Sequence, residues 1–218
     1  MQRVVVSRRI FPALVTDLQR EFDVRANQED VGWNASELAS ALSDADGALL
    51  TAGDRIDEAL LAQCPRLKVV ANIAVGINNL DLAACTRHGV LATNTPDVLN
   101  EATADHAWAL LLAAARRVGE SERWLRAGLW KRWTFEMFTG AEVGGTTLGI
   151  LGMGRIGRAI ARRATGFSMP VIYHNRTRLP ADLEGGARHV DLPELLRESD
   201  HLVLVVPYSP EVHHIIDA

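Results

Sequence analysis

Short apolar runs alternate along the chain with stretches in which apolar residues recur every three or four positions. The runs predict buried strands, and the longer stretches predict amphipathic helices. The predicted strands lie at residues 3–6, 22–25, 47–50, 68–74, 90–92, 146–151, 170–174, 187–190 and 201–206. Because strands that alternate with helices form parallel βαβ units, this pattern predicts an α/β fold.

Polar residues at the edges of the helical stretches predict where helices begin. Ser36 is expected to cap a helix over residues 37–45, and Asp57 to cap the next one. Asn100 is expected to cap a long helix over residues 101–117. The middle of this long helix is apolar nearly all round, which predicts that it is buried between layers.

A glycine pattern follows the apolar run at residues 146–151 and precedes a further helical stretch. Glycines occupy positions 152, 154 and 157, the G-x-G-x-x-G spacing. Gly152 would permit a tight turn, Gly154 would leave the backbone open to a pyrophosphate, and Gly157 would let the helix pack close to the sheet. The order of strand, turn and helix predicts a dinucleotide site. The alternative is that the glycines serve packing alone.

The loop after the second strand of this unit carries basic rather than acidic residues. A site for NAD normally places Asp or Glu here to bind the ribose 2′-hydroxyl. Position 175 is Asn, and Arg176 and Arg178 follow it. Either arginine would attract a 2′-phosphate, which an acid would repel, so the loop predicts NADP(H) rather than NAD(H). The alternative is a solvated loop whose arginines face water.

Two other segments offer candidate ligand contacts. Residues 74–81 follow a predicted strand, at the sheet edge where open α/β sheets bind ligands. There the backbone N–H groups of Val75 and Gly76 would suit a carboxylate, although the residues by themselves favour an ordinary strand-to-helix loop. Thr103, in the first turn of the long helix, would either contact a phosphate or simply be a polar residue near the helix N-terminus.

Composition and charge exclude several classes of protein. The chain has 218 residues, 48% of them hydrophobic, and a net charge of −4, which argues against a nucleic-acid-binding protein. Its longest apolar run, residues 107–115, is too short to span a membrane, and the N-terminus does not resemble a signal peptide. Cys64 and Cys85 lack metal-ligand spacing and fit a reducing cytoplasm. We therefore expect a cytoplasmic protein with no metal site and no membrane or nucleic-acid partner.

Residues 123–138 interleave aromatic and basic side chains. Such a mixture occurs in proteins that bind single-stranded nucleic acid, but the net negative charge and the lack of a nucleic-acid motif argue otherwise. A subunit interface is the preferred interpretation, because Trp and Arg are enriched at interfaces. The alternative is a helix that packs its tryptophans into the core of its own domain.

Several stretches together resemble one family, the D-isomer-specific 2-hydroxyacid dehydrogenases. They are residues 74–81, 93–105, 148–157, 173–180 and 206–210, which follow in the family's order. The similarity extends from about residue 68 to the end of the chain, and the branch of NADP-dependent glyoxylate/hydroxypyruvate reductases, also called 2-ketogluconate reductases, matches best. The resemblance implies a dimeric cytoplasmic enzyme that transfers a hydride from NADPH to a small 2-keto acid.

The resemblance also implies a domain organisation and a set of site residues. A flavodoxin-like substrate domain over residues 1–98 would precede an incomplete Rossmann, doubly wound dinucleotide-binding domain over residues 99–218. Val75 and Gly76 match the substrate-carboxylate loop, which replaces the interpretation as an ordinary loop. The tryptophan-rich segment matches a region that packs across the family's dimer. The cofactor-binding positions would be Thr103, Gly152, Gly154, Arg155, Ile156, Gly157, Asn175, Arg176, Arg178 and Pro207.

The C-terminal part departs from the family pattern. Reduction of a keto acid needs an Arg to hold the substrate, a His to supply the proton, and an acid to orient that His. None of the seven histidines stands in the matching motif, and His106 is expected in the core, so we assign no catalytic residue. A doubly wound domain has six strands, and four are predicted after residue 146, which predicts an incomplete domain and a shortened enzyme.

Three functions stay open at this point. The first is an NADP-dependent 2-keto acid reductase. The second is a relic that binds NADP(H) or dimerises without turnover. The third is another Rossmann enzyme, such as a methyltransferase, and it ranks last because it does not account for the two arginines after the second strand of the dinucleotide unit.

Overall fold

The strand pairs of the computed structural model, which describes residues 1–217, are parallel and belong to two separate sheets. The chain divides into two compact units, Met1–Val98 and the residues from Leu99 onward, each with a sheet of its own. The parallel pairing confirms the α/β class. The assignment of substrate to one unit and cofactor to the other stays a prediction.

The first unit contains a five-stranded sheet. Its strands are β1 Arg3–Val6, β2 Asp23–Ala26, β3 Gly47–Leu50, β4 Val69–Asn72 and β5 Leu91–Thr93. Its helices are α1 Pro12–Leu18, α2 Ala35–Leu42, α3 Glu58–Leu61 and α4 Leu82–Arg87. The strand order β2-β1-β3-β4-β5 is that of the flavodoxin-like fold, so the predicted architecture is confirmed.

The apolar runs of the first unit form one core with its helices. Val5, Leu50 and Val70 on the strands and Leu42 on α2 are fully buried. Each such side chain contributes roughly 1.5–3 kcal/mol relative to an exposed one. Helices cover both faces of a parallel sheet, so its strands are nearly continuous in apolar residues. This is why the short apolar runs of the sequence predicted the strands.

The cap of α2 is Asn34, so the prediction of Ser36 is wrong. Asn34 Oδ1 accepts from the Glu37 N–H at 3.0 Å, and Glu37 Oε2 accepts from the Asn34 N–H at 2.8 Å. Asn34 is followed three residues later by a Glu, whereas Ser36 is not. The reciprocal hydrogen bonds of Asn34 and Glu37 therefore decide the position of the cap. The prediction of Asp57 is confirmed, since its Oδ1 accepts from the Leu60 N–H at 3.1 Å.

The second unit contains a four-stranded sheet. Its strands are β6 Leu148–Leu151, β7 Val171–His174, β8 Arg188–His189 and β9 His201–Leu204. Its helices are α5 Asn100–Ala115, α6 Val118–Arg126, α7 Arg155–Ala164, α8 Ala181–Glu184 and α9 Leu192–Glu198. The strand order β8-β7-β6-β9 corresponds to the 3-2-1-4 part of the Rossmann order, so the predicted fold is confirmed, with strands shorter than predicted.

The start of α5 differs from the prediction by one position. Asn100 is the first residue of the helix, and Leu99 occupies the N-cap position without a side-chain hydrogen bond. The first helical hydrogen bond runs from the Thr103 N–H to the Leu99 carbonyl at 2.9 Å. Asn100 is therefore not the cap, because the chain already turns at Leu99, a backbone detail that residue types do not fix.

The long helix α5 buries one face only, so its predicted burial between layers is wrong. Ala104 and Trp108 are buried with residues of α7, and Trp108 stacks on Phe167 at a centroid distance of 4.6 Å. Leu110 is 58% exposed, and His106 is exposed rather than in the core. Ala109, Leu110 and Ala114 stay exposed in the part of the chain that the structure describes.

The tryptophan-rich segment is not a helix packed into the core, so that alternative is wrong. Helix α6 ends at Arg126, and no strand or helix is assigned to residues 127–147. Trp130, Trp133 and Phe135 are 50%, 73% and 86% exposed. The interpretation as a subunit interface stays a prediction.

Candidate functional site

The turn after β6 is the centre of the candidate site. β6 is buried along its whole length and ends at Leu151. Gly152 then adopts φ +102°, in the left-handed region that favours glycine. A Cβ at this position would lie 2.7 Å from the Val205 carbonyl oxygen, so the turn and the close approach of the segment after β9 both require glycine.

Gly154 and Gly157 serve different purposes in this turn. A Cβ on Gly157 would lie 2.3 Å from the Gly152 carbonyl oxygen, so α7 packs against the turn at a distance that requires glycine. A Cβ on Gly154 would meet no atom of the described chain within 4 Å, and its φ is −78°. Neither packing nor backbone strain explains glycine at position 154. The open backbone there is a cradle that a Cβ would fill, which fits a bound phosphate group.

Helix α7 starts at this cradle. Gly154 occupies the N-cap position and has no side chain to accept hydrogen bonds from the first turn. Free N–H groups and the helix dipole favour an anion at such a start. Arg155 is the exposed first residue of the helix, and Ile156 is half-buried against the core. Gly154, Arg155 and Ile156 therefore lie together at one helix start that suits a phosphate.

Asn175 closes the turn from the neighbouring strand. The Met153 N–H donates to Asn175 Oδ1 at 2.7 Å, and His189 Nε2 lies 3.2 Å from the Asn175 carbonyl oxygen. The side chain that follows β7 therefore fixes the backbone of the glycine turn. It also leaves this position without the carboxylate that typically binds a ribose 2′-hydroxyl.

The two arginines of the loop 175–179, called here the arginine loop, have different surroundings. Arg176 is exposed and makes no hydrogen bond or ion pair within residues 1–217. Arg178 forms a bidentate ion pair with Glu184, with Nε and Nη2 at 2.8 and 3.0 Å from the two carboxylate oxygens. Hydrogen bonds from Arg178 and Tyr173 lower the pKa of Glu184 to about 2, so the pair is charged at neutral pH.

Sequence reasoning missed Glu184 and Tyr173. Glu184 is 8% exposed, and Tyr173 is fully buried with its hydroxyl 2.8 Å from Glu184 Oε1. Nothing in the sequence marked Glu184, because a Glu before two glycines at the end of a short helix is ordinarily solvated. Its burial depends on partners six and eleven positions away, and buried charges require such pairing.

Pro207 follows the segment that packs against the glycine turn. β9 ends at Leu204, and the Val205 N–H donates to the Leu151 carbonyl at 2.8 Å. The Val205 carbonyl is the nearest obstacle to a Cβ on Gly152. The exposed Pro207 therefore comes two residues after a direct contact with the turn.

Thr103 lies in a different relation to the turn. It is half-buried near the start of α5, and its neighbours Glu101 and Asp105 both form ion pairs with Arg163. Arg163 belongs to the last turn of α7, whereas the glycine turn precedes the first. These ion pairs tie the start of α5 to the opposite end of α7. The role of Thr103 in cofactor binding stays a prediction.

In the first unit, the loop after β4 presents two backbone donors. The carbonyl groups of Val75 and Gly76 accept hydrogen bonds from Asn94 Nδ2 at 2.9 Å and from Asn72 Nδ2 at 3.0 Å. The N–H groups of Val75 and Gly76 find no acceptor in the described chain. A Cβ on Gly76 would meet no atom of that chain within 4 Å. The loop therefore offers an open surface with two donors, which suits a carboxylate.

A polar network holds this loop in place. Asn72 and Asn79 form hydrogen bonds with each other at 3.2 Å, and Asn79 Nδ2 also donates to the Asp54 carbonyl at 2.9 Å. The buried Asp54 carboxylate in turn accepts from Ser7 Oγ at 2.6 Å and from the Thr51 N–H at 2.8 Å. Because the hydrogen bonds of these polar groups are satisfied by one another, the network rigidifies the loop after β4.

The two cysteines lie in the core, and no group of metal ligands is found among the residues that the structure describes. Cys64 and Cys85 are free and buried, and burial raises the pKa of each thiol, which suits packing rather than nucleophilic chemistry. Among residues 1–217, no three His, Cys, Asp or Glu side chains are grouped to hold a metal ion. None of the helices described combines the length and the apolar character needed to cross a bilayer.

Comparisons with known proteins agree with this fold and these motifs. Residues 108–218 match the family described as D-isomer specific 2-hydroxyacid dehydrogenase, NAD binding domain. The chain is 44% identical over 220 residues to the glyoxylate reductase of Thermococcus onnurineus. The aligned region covers 99% of this chain and 66% of that protein. It thus spans about two thirds, 66%, of the length of the curated relatives that it matches.

Two solved structures resemble this chain in fold. The TT0316 protein from Thermus thermophilus superposes with a TM-score of 0.90 at 40% identity, over 98% of this chain and 68% of that chain. A glyoxylate reductase from Paecilomyes thermophila superposes with a TM-score of 0.83 at 32% identity, over 99% of this chain and 68% of that chain.

Proposed function

The chain belongs to the D-isomer specific 2-hydroxyacid dehydrogenase family. We propose that it serves the reduction of a small 2-keto acid with NADPH. Glyoxylate, hydroxypyruvate and 2-ketogluconate are the 2-keto acids that we propose as candidate substrates. The second unit would hold the cofactor, and the first unit the substrate carboxylate. The observation that carries the proposal is the cradle at Gly154, which lies open at a helix start beside the arginine loop.

The second unit fits a nicotinamide dinucleotide. Gly152 and Gly157 bring strand, turn and helix together, and Gly154 leaves space for a pyrophosphate at the start of α7. When bound, the nicotinamide would supply the hydride that reduces the keto group. The further positions that we assign to the cofactor site, either as ligands or as supports of its loops, are Thr103, Arg155, Ile156, Asn175, Arg176, Arg178 and Pro207.

The charges of the arginine loop support NADP(H) over NAD(H). Asn175 offers no carboxylate to a 2′-hydroxyl, and its Oδ1 already accepts from the Met153 N–H. Arg176 is exposed beside it. A guanidinium recognises a phosphate through charge-assisted hydrogen bonds. We therefore assign the 2′-phosphate of NADP(H) to this loop.

The substrate assignment is supported by the loop after β4. The N–H groups of Val75 and Gly76, which have no acceptor in the described chain, would donate to the carboxylate that every 2-keto acid carries. The relative from Thermococcus onnurineus is named glyoxylate reductase, which favours a short 2-keto acid. The sequence assigns no side chain of this chain as proton donor.

We further propose that the chain forms a cytoplasmic homodimer without a nucleic-acid partner. A second copy would cover the exposed apolar side chains of α5, of α6 and of the segment after α6. They are Leu110, Val118, Leu125, Trp130, Trp133 and Phe135. The free thiols of Cys64 and Cys85 support a reducing compartment.

Fluorescence titration of the 218-residue chain with NADPH and NADH tests the cofactor assignment. Arg176→Ala should weaken NADPH binding roughly tenfold or more, since hydrogen bonds to charged groups contribute about 1.5–3 kcal/mol, and should leave NADH binding nearly unchanged. Arg197→Ala, which removes an exposed arginine of α9, is the control. Equal losses for both cofactors at Arg176→Ala would contradict the NADP(H) assignment.

An absorbance assay with NADPH and glyoxylate or hydroxypyruvate separates a working reductase from a cofactor-binding relic. We expect the 218 residues to bind NADPH without turnover, since the proposed reduction needs a proton donor and none of these residues is assigned as one. Turnover would overturn that assignment and directly support 2-keto acid reduction. Binding of S-adenosylmethionine in place of NADPH would instead identify another Rossmann enzyme.

A further inference from the structure

We propose that Glu184, Arg178 and Tyr173 form a bracket that withdraws Arg178 from cofactor recognition, so that the preference for NADPH depends on Arg176. The inference rests on the proposed function, because it concerns how the same site distinguishes a 2′-phosphate from a hydroxyl. Glu184 is then a positioning residue for the arginine loop, and Arg176 is the residue that determines cofactor specificity.

The bracket joins three parts of the second unit. Arg178 leaves the arginine loop and binds both oxygens of Glu184 on α8, at 2.8 and 3.0 Å. Tyr173 on β7 donates to Glu184 Oε1 at 2.8 Å. The Tyr173 hydroxyl also accepts from the Leu179 N–H at 3.0 Å, which fixes the end of the loop to the strand.

Burial makes the bracket costly to open. The Glu184 side chain is 9% exposed and Tyr173 is fully buried, so the carboxylate has little access to water. If Arg178 turned towards a cofactor phosphate, it would leave a buried carboxylate without its cation, which is strongly unfavourable. Arg178 therefore stays with Glu184, although 66% of its own side chain is exposed.

Charge compensation follows from the same contact. A guanidinium whose Nε and Nη2 both bind one carboxylate presents a nearly neutral pair to a third group. A 2′-phosphate near the loop would gain little from Arg178 even if its Nη1 were within reach. Arg178 thus stabilises the conformation of the arginine loop and does not act as a phosphate ligand.

Arg176 has the opposite character. It is exposed and makes no hydrogen bond or ion pair among residues 1–217. Hydrogen bonds from Ser209 and from the Glu211 backbone lower the pKa of Glu211, and the positive charge of Arg176 lowers it further. The Arg176 guanidinium therefore keeps its donors for a ligand.

Four variants of the full chain test this division of roles by titration with NADPH and NADH. Arg178→Met should weaken both cofactors by the same factor, because the loop loosens but no phosphate ligand is lost. Glu184→Gln should raise the preference for NADPH over NADH roughly fivefold, since the charge of Arg178 is no longer compensated. The double variant Glu184→Gln/Arg178→Met should return the preference to that of the wild type, and Tyr173→Phe should leave it unchanged.

The outcomes separate the inference from the proposed function. If the wild type binds NADPH and Arg178→Met lowers the preference for NADPH tenfold, Arg178 is a phosphate ligand and the bracket is overturned. An unchanged or lower preference in folded Glu184→Gln overturns it as well. A wild type that binds neither cofactor contradicts the proposed function and the specificity role together. Circular dichroism melts establish folding, and if Glu184→Gln fails to fold, Arg178→Met and Tyr173→Phe still decide.

Discussion

An added methyl group would have different consequences at two glycines of the turn, Gly157 and Gly154. At Gly157 an added Cβ would lie 2.3 Å from the Gly152 carbonyl oxygen, a backbone atom that follows the buried strand β6. We expect Gly157→Ala to lower the free energy of unfolding by about 1–3 kcal/mol, as overpacking does, despite the better helix propensity of Ala. Urea unfolding followed by circular dichroism measures the loss.

Gly154→Ala is the matched control, because it adds the same methyl group three positions earlier. That methyl meets no atom of the described chain within 4 Å, and φ −78° suits Ala. Because Ala is a poorer N-cap than Gly, the free energy of unfolding should fall by about 0.5–1 kcal/mol. NADPH affinity should fall, because the methyl group enters the cradle. A folded Gly154→Ala protein with unchanged NADPH affinity would remove the support that this glycine gives to the proposed function.

Glu184 links the stability of the second unit to acid pH. Hydrogen bonds from Arg178 and Tyr173 lower its pKa from an ordinary 4.5 to about 2, and the nearby His189 acts in the same direction. A carboxyl group whose pKa is lowered by folding stabilises the native state above its ordinary pKa. This contribution is lost as the pH falls from about 4.5 towards 2.

The difference in melting temperature between wild type and Glu184→Gln should therefore be largest near neutral pH and shrink below pH 4.5. Calorimetry over a series of buffers measures it. The difference is the proper measure because other ion-paired carboxylates, such as Glu101 beside Arg162, also have a lowered pKa. A difference that stays constant down to pH 2 would show that Glu184 is not stabilised as an anion.

At the scale of elements, the sequence was most informative where structure is local. The apolar runs predicted the strands, and the glycine spacing predicted the turn between β6 and α7, because each depends on a few neighbouring residues. The cap of α2 was predicted wrongly as Ser36, although the capping-box pattern of Asn34 and Glu37, which Ser36 lacks, is local and could have identified it.

Elements whose role depends on distant partners were not readable from the sequence. The apolar circumference of α5 predicted burial, yet only Ala104 and Trp108 are buried, because what covers a helix is decided by tertiary and quaternary neighbours. Likewise, Arg176 and Arg178 look equivalent in the sequence. Glu184 distinguishes them only once α8 returns to the end of β7. The sequence thus predicted the positions of the candidate site, but not the contact with Glu184 that distinguishes Arg178 from Arg176.

At the scale of the whole molecule, the exposed aromatic side chains are the feature that a second copy would explain. Trp133 and Phe135 are 73% and 86% exposed, with their rings in an edge-to-face contact at 6.4 Å. Trp130 is 50% exposed nearby in the sequence. Large exposed aromatics beside arginines are typical of the core of an interface rather than of a solvated surface.

We therefore expect light scattering to give twice the mass of one chain, and Trp133→Asp/Phe135→Asp to give the mass of one chain. Charged side chains at the centre of an apolar interface would be desolvated without partners, which opposes association. Phe11→Asp is the matched control, since Phe11 is 78% exposed in the first unit and should not alter the mass. A wild type that stays monomeric at micromolar concentration would contradict the homodimer. Dissociation by Phe11→Asp alone would place the interface on the first unit instead.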